Sequence, residues 1–354
     1  MRPFTYQVLP ARVVFGFGTL ARLPDELDAL GAGRVVLIAD NMAKTEADQI
    51  ESALGERVVG RIGEIEPHVP IEEVEVARRL TDDRQADAVV TIGGGSTTGV
   101  GKAIVLEREL SFLAIPTTYA GSEMTPIYGI TAGEVKRTGR DPRVKPQTVI
   151  YDVDLTLGLP REVTSGSTMN ALAHCVEALY AQERSPIVTI MALEGVRALQ
   201  RGSLMVAGDP SDVEGRSDLL YGAFLAGASL GAVGMAIHHR ICHVLGGTFG
   251  LAHGDANAVI LPHVVAYNRE SEPEVMAALA DAMGVTDTAI GLFELAGALG
   301  APTSLAELGI TEADLDRATE MIVDGVGYNP RPVEREWIRQ LLEDALAGRP
   351  PSAQ

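Results

Sequence analysis

Five of the seven histidines of this 354-residue chain lie between His238 and His263: His238, His239, His243, His253 and His263. His239 and His243 are four apart, so on a helix they share one face on adjacent turns. Gly246-Gly247 is expected to end that helix, with His253 returning from the loop that follows. Imidazoles grouped in this way hold a divalent metal or transfer protons near neutral pH. Core histidines satisfied by hydrogen bonds are the bland alternative, and five in one frame weigh against it.

A second stretch has a different chemistry. Ile92-Gly93-Gly94-Gly95-Ser96-Thr97-Thr98 reads as a strand that runs into a glycine turn opening a helix. Glycines let the backbone approach a pyrophosphate, and a helix N-terminus offers free N–H donors. The stretch is not the G-x-G-x-x-G fingerprint, and a glycine turn with no ligand reads the same way. Thr117-Thr118 end another strand, on the edge of a parallel sheet where ligands bind. Asp40 ends the preceding strand. It is placed either to accept from a ribose hydroxyl or to sit solvated in a loop.

These residues need elements to hold them. β-Branched runs alternate with amphipathic stretches in the first half, the pattern of a parallel sheet with crossover helices. Strands are expected at Arg12–Gly16, Arg34–Ala39, Asp87–Ile92, Phe112–Ile115 and Thr148–Asp152. Helices are expected around Leu20–Leu30, Lys44–Leu54 and Ile71–Leu80. From Glu162 the spacing becomes helical throughout: Met169–Tyr180, Ile187–Gln200, Asp218–His243, Pro273–Met283, Asp287–Leu299, Glu312–Val323 and Arg335–Leu346. The expected architecture is an α/β, Rossmann-like dinucleotide-binding domain over 1–160 and an all-α domain over 161–354. The tail from Gly348 to Gln354 is expected to fray.

Composition narrows the function. A hydrophobic content of 46% with 22% charged residues belongs to an ordinary globular chain, and the net charge of −19 repels nucleic acid and anionic membranes. An anionic ligand would then need a local positive pocket. No uninterrupted apolar run reaches membrane-spanning length, and the Met1-Arg2-Pro3-Phe4 start lacks a secretory core, so a cytoplasmic location is expected. Cys175 and Cys242 read as small buried hydrophobes.

Longer motifs carry a resemblance. They are Phe15-Gly16-Phe17-Gly18, Gly93-Gly94-Gly95-Ser96 with Lys102, Pro116-Thr117-Thr118-Tyr119-Ala120-Gly121-Ser122-Glu123-Met124-Thr125, Met169-Asn170-Ala171-Leu172-Ala173-His174-Cys175-Val176-Glu177-Ala178 and Cys242-His243-Val244-Leu245-Gly246-Gly247-Thr248-Phe249. Over nearly its whole length the chain resembles the iron-containing alcohol dehydrogenase superfamily and, within it, the maleylacetate reductases. The resemblance implies catalysis in a cleft between the two domains, and a homodimer. Metal-dependent members hold iron or zinc with one aspartate and three histidines, and the matching positions here are Asn170, His174, His243 and His253. An amide is a poor ligand where a carboxylate is usual. Gly99 stands where many members have an aspartate. The resemblance therefore implies a reductase that works without metal.

The implied reaction is reduction of maleylacetate, a small dicarboxylate, to 3-oxoadipate by NADH or NADPH in aromatic-ring breakdown. Imidazoles can polarise the enone and donate the proton by hydrogen bonding. His243 and His253 take these two tasks in an order left open, with His174 as a third wall. Asn170, His239 and Arg240 are assigned to the substrate side. Gly93, Gly94, Gly95, Ser96, Thr117, Thr118 and Asp40 are assigned to the cofactor. His238 is expected to be exposed or structural, and His263 to be a packing residue. Lys136, Arg140 and Lys145, expected in a loop, and Arg331 are further cations that could meet a dianion. The rival readings are a metal-dependent alcohol dehydrogenase and a lyase like dehydroquinate synthase.

Overall fold

Runs of β-branched residues that end on a glycine, proline or acid form the strands of the first half. The computed structural model describes residues 4, 6, 11–67, 69–133, 135–325 and 327–351, without the side chains of Val135 and Lys136. The Met1–Pro3 start and residues 352–354 of the tail lie outside the described residues. The chain divides into two compact units, one running to Leu159 and the other from Pro160 onward, and Phe4 and Tyr6 group with the second.

The first unit holds a six-stranded parallel sheet in the order β1-β8-β5-β4-β2-β3. Its strands are β1 (Arg12–Gly16), β2 (Val35–Ala39), β3 (Val58–Ile62), β4 (Ala88–Gly93), β5 (Ser111–Pro116) and β8 (Thr148–Asp152). Helices α1 (Leu23–Ala29), α2 (Lys44–Leu54), α3 (Ile71–Asp83) and α4 (Gly95–Val105) alternate with them. β2 and β4 are buried over their whole length, as strands covered on both faces must be, whereas β1 and β3 at the edges are only partly so. β3 was not expected. Val58-Val59-Gly60-Arg61-Ile62 is short and mixed, and only pairing with β2 makes it a strand.

The chain leaves β2 for β3 on one side and returns past β2 to β4 on the other. Between β2 and β4 the sheet therefore has a topological switch point, the place where open α/β sheets bind ligands. Register aligns the strand ends there: Ala39 faces Ile92, and Gly93 faces Pro116. An antiparallel hairpin, β6 (Ile127–Ala132) and β7 (Val135–Arg140), occupies what was expected to be a loop. Lys136 and Arg140 thus belong to a strand, and Lys145 follows a short 3₁₀ turn at Pro142–Val144.

The second unit is all helical. It comprises α5 (Arg161–Tyr180), α6 (Pro186–Gly208), α7 (Val213–Gly231), α8 (Ile237–Phe249), α9 (His253–Asn268), α10 (Pro273–Met283), α11 (Thr288–Leu299), α12 (Glu312–Asp324) and α13 (Arg335–Leu346). α5 and α9 are buried along nearly their whole length, so they form the interior on which the others pack. The apolar stretch Pro273–Leu299 is long enough to cross a membrane by composition. It is nevertheless two helices, separated at Gly284, which is left-handed. Arg349 near the chain end is paired with Asp344 at 2.8 Å.

Three expectations about the histidine stretch are corrected. The single helix Asp218–His243 is two helices, because Ala232 to Ala236 turn the chain between α7 and α8. Gly246-Gly247 do not stop α8. It continues to Phe249 and ends on Gly250, whose left-handed φ of 74° lets its N–H reach back to the Gly246 carbonyl. His253 is the first residue of α9 and not a loop residue.

Candidate active site

In the first unit the glycine turn is built by its neighbours. Gly93 has φ +151°, and a Cβ there would lie 2.2 Å from Asp40 Oδ2, so only glycine fits. Asp40 Oδ2 accepts from the Gly94 N–H at 3.0 Å and from Thr97 Oγ1 at 3.1 Å. Asp40 Oδ1 accepts from the N–H groups of Met42 and Ala43, both at 3.1 Å. The carboxylate expected at the ribose is thus already a clamp between the ends of β2 and β4.

Thr117 donates its N–H to the Gly93 carbonyl at 3.0 Å, and a Cβ on Gly94 would meet Thr118 at 3.3 Å. Gly93, Gly94, Gly95, Ser96, Thr117, Thr118 and Asp40 therefore come together as expected. No side chain of the preceding residue caps α4, so its first-turn amides stay available, an arrangement that suits a pyrophosphate. Lys102 lies on α4, the helix that the turn opens. Its buried ammonium donates to the carbonyls of Ser122, Thr125 and Ile127 and to Thr125 Oγ1, at 2.7 to 2.9 Å. Burial pushes this amine down to about 7. It ties α4 to the 122–127 segment, which follows Thr117 and Thr118 in the chain.

In the second unit four imidazoles converge from three helices. His239 of α8 is the hub. Its ring stacks on His174 of α5 with centroids 5.0 Å apart, and lies 6.2 Å from His243 and 6.3 Å from His253. His243 and His253 stack on each other at 5.9 Å. Asn170 and His174 are four apart on α5 and both buried. Burial, reinforced by the neighbouring histidines, holds His174 well below the usual imidazole range. His174 is thus neutral at pH 7.

Two features of this cluster escaped the sequence reading. The first is Glu177, fully buried on α5 one turn after His174. Its Oε2 lies 2.7 Å from His239 Nδ1 and accepts from the Ala236 N–H at 3.0 Å, while Oε1 accepts from the His238 N–H at 2.8 Å. Burial alone would raise this carboxyl, but His239, His238 and the Ala236 N–H together outweigh it and hold it below its ordinary value. A lone acid three residues after His174, in an otherwise apolar run, was the available signal. The second is the contact of Gly166 on α5 with Gly254 on α9. A Cβ on Gly254 would lie 2.9 Å from the Gly166 backbone. The two helices meet backbone to backbone beside His253, which sets how near that ring comes to α5.

Other candidates have different roles. The Arg240 guanidinium donates to the Met321 carbonyl and lies over Gly325, so it serves the C-terminal end of α12. Arg331 sits between the rings of Tyr267 and Trp337, 4.3 and 4.7 Å from their centroids, and donates to the Tyr267 carbonyl. His238 is fully buried against Cys242 Sγ at 3.7 Å, and burial pushes it down to about 3. His263 is buried inside α9 and pushed down to about 4 by burial. Both cysteines are buried, as expected.

The donors can be tested against a metal. Asn170, His174, His243 and His253 are an amide and imidazoles, none of them anionic. Glu177, His238 and His239 also have ligand atoms within 4.8 Å of one another. Glu177, however, already accepts the N–H groups of Ala236 and His238 and lies 2.7 Å from His239 Nδ1, so its charge is directed at protein groups. With no carboxylate left to face a divalent ion, this donor set fits one poorly.

Residues 10–153 match the model of iron-containing alcohol dehydrogenase, and residues 164–346 match the C-terminal model of the Fe-containing alcohol dehydrogenase family. The chain is 48% identical to a maleylacetate reductase of Burkholderia cepacia, over 99% of this chain and 100% of that protein. The crystal structure of a maleylacetate reductase from Agrobacterium tumefaciens superposes with a TM-score of 0.95 at 45% identity, covering 99% of this chain and 100% of that one. The corresponding structure from Rhizobium sp. strain MTP-10005 gives 0.95 at 44% identity, with the same coverage.

Proposed function

The chain belongs to the iron-containing alcohol dehydrogenase family, and from that premise we infer that it reduces the carbon–carbon double bond of maleylacetate with NADH or NADPH, giving 3-oxoadipate. The observation that carries this reading is the end-to-end identity of 48% to a reductase of that name. A cluster made of histidines and an amide, with no anionic ligand among them, supports the further proposal that the reaction proceeds without metal.

When bound, the reduced nicotinamide supplies hydride. The pyrophosphate is assigned to the first-turn amides of α4 behind Gly93, Gly94, Gly95 and Ser96, with Thr117 and Thr118 alongside. Hydride addition at the carbon β to the ketone shifts the double-bond electron pair toward the carbonyl oxygen and leaves an enolate. That oxygen needs hydrogen-bond donors, and the α carbon needs a proton. His243 and His253 are assigned these tasks, and fixed donors aimed at a developing oxyanion are worth several kcal/mol, on the order of 3, each. His174, kept neutral by burial, forms a wall and not the acid. Asn170 and His239 face the substrate in this reading. Arg240, engaged at Met321 and lying over Gly325, is left out of the substrate set. A cytoplasmic homodimer is part of the same proposal, and light scattering of the purified protein tests the dimer.

Following nicotinamide absorbance tests the reaction. Maleylacetate should be turned over faster than simple aldehydes, and the reverse order would overturn the reading. Protein stripped with chelator should keep its rate. A loss restored by one metal ion would favour the metal-dependent alcohol dehydrogenase instead.

A further inference from the structure

Glu177 does more than a helix cap requires. Two of its three bonds, to the N–H groups of Ala236 and His238, satisfy the start of α8, which no local side chain caps. The third goes to a side chain, His239 Nδ1, at 2.7 Å. An ionised carboxylate only accepts, so Nδ1 carries the proton and donates it. The other ring nitrogen, Nε2, is buried and has no partner among the described residues. Such an atom is costly to leave unpaired, and its ring lies amid those of His174, His243 and His253.

We propose that Glu177 is a positioning residue for the reduction: it fixes the ring of His239 with Nδ1 protonated, so that Nε2 is the nitrogen His239 offers to the reacting molecule. Nδ1 stays against the carboxylate in either state of the ring. Nε2 is then an acceptor when the imidazole is neutral and a donor when it is charged. The same carboxylate sets the start of α8, so ring tautomer and helix position are fixed together. His243, one turn further along α8, inherits that position. This inference rests on the histidine cluster being the site of the reaction proposed above.

The test uses the full chain as wild type, Glu177→Gln, His239→Ala and the double variant. A glutamine cannot accept all three bonds. Whichever way it is turned, its NH₂ group faces either the His238 N–H or the His239 Nδ1 and Ala236 N–H side. Glu177→Gln should lower kcat by about 10–100-fold, the usual effect of removing a partner that orients a functional histidine, with KM for NADH unchanged. On the His239→Ala background the same change should cost clearly less, because the share that acts through the His239 ring is already lost and only the effect on the start of α8 remains. Equal cost in both backgrounds, or an unchanged kcat in folded Glu177→Gln, would overturn the proposal. Nitrogen-15 spectra of wild-type protein give a readout independent of activity and of the variants' folding. His239 with its proton on Nδ1 supports the proposal, and a proton resting on Nε2 with Nδ1 bare overturns it. That measurement needs no substrate, so it stands even if maleylacetate is not the substrate.

Discussion

In the α/β unit the groups assigned to the cofactor come from the ends of adjacent strands in register, and much of the work falls to backbone amides. In the helical unit the groups assigned to chemistry are side chains from α5, α8 and α9, and each needs a distant partner to be aimed. Asp40, Gly93 and Thr117 meet because Ala39 faces Ile92 and Gly93 faces Pro116. His174, His239 and His253 meet because Glu177 pins α8 and because Gly166 and Gly254 let α5 and α9 touch. A sheet edge gathers ligand groups almost automatically once strand order is set. A helical cluster depends on a few specific contacts, so single substitutions should damage the two regions differently.

The largest expected separation comes from the proposed catalytic histidines. His243→Ala and His253→Ala should each lower kcat by about 10²–10⁴-fold, the usual contribution of general acid–base groups. Binding of NADH, measured by fluorescence titration, should stay unchanged because its assigned residues lie in the other unit. Near-normal turnover in folded variants would remove the chemistry from this cluster.

Gly254→Ala should come next. A methyl group 2.9 Å from the Gly166 backbone has no flexible neighbour to displace, so α9 must move. A shift of that kind is expected to cost about 10²-fold in kcat and about 1–3 kcal/mol of stability. Steady-state kinetics beside denaturant titration would separate the two, and loss of stability without loss of kcat would mean that the contact supports the fold alone.

Acid should strike the helical unit. His238 and His263 are held at about 3 and about 4 by burial, and His174 is also depressed, all below the unfolded imidazole value of 6.5. Between pH 6.5 and those values the unfolded chain binds protons that the native one refuses. Stability is therefore full above pH 6.5 and falls as the pH drops, by up to about 1.4 kcal/mol per pH unit for each such proton. Denaturant midpoints between pH 7.5 and 5 would show it, and a flat profile would contradict the burial argument.

The smallest effect sharpens the role of Asp40. Asp40→Asn removes the charge but keeps one acceptor oxygen, whereas Asp40→Ala removes both. If the charge repels a 2′-phosphate, both variants should raise the ratio of kcat/KM for NADPH over NADH, by about tenfold. If Asp40 serves only the turn, through Gly94 and Thr97, both cofactors should weaken together and the ratio should stay fixed.

Much of this was written in local sequence. Strands end where a β-branched run meets glycine, proline or an acid, so local sequence alone places Asp40, Gly93, Gly94, Gly95, Ser96, Thr117 and Thr118 on one edge. Four-residue spacing put Asn170 with His174 and His239 with His243, since both follow from helix periodicity alone. The density of histidines marked their stretch as the candidate site. What the tertiary structure alone decided was geometry between distant residues. The break between α7 and α8, the extension of α8 past Gly246-Gly247, and His239 as the hub all depend on contacts such as Glu177 with Ala236 and His239, 59 and 62 residues apart. The close approach of Gly166 to Gly254 is of the same kind. Local propensity carries no record of which buried carboxylate will reach a helix's first amides, or which two glycines will meet. Those are settled only when the helices pack.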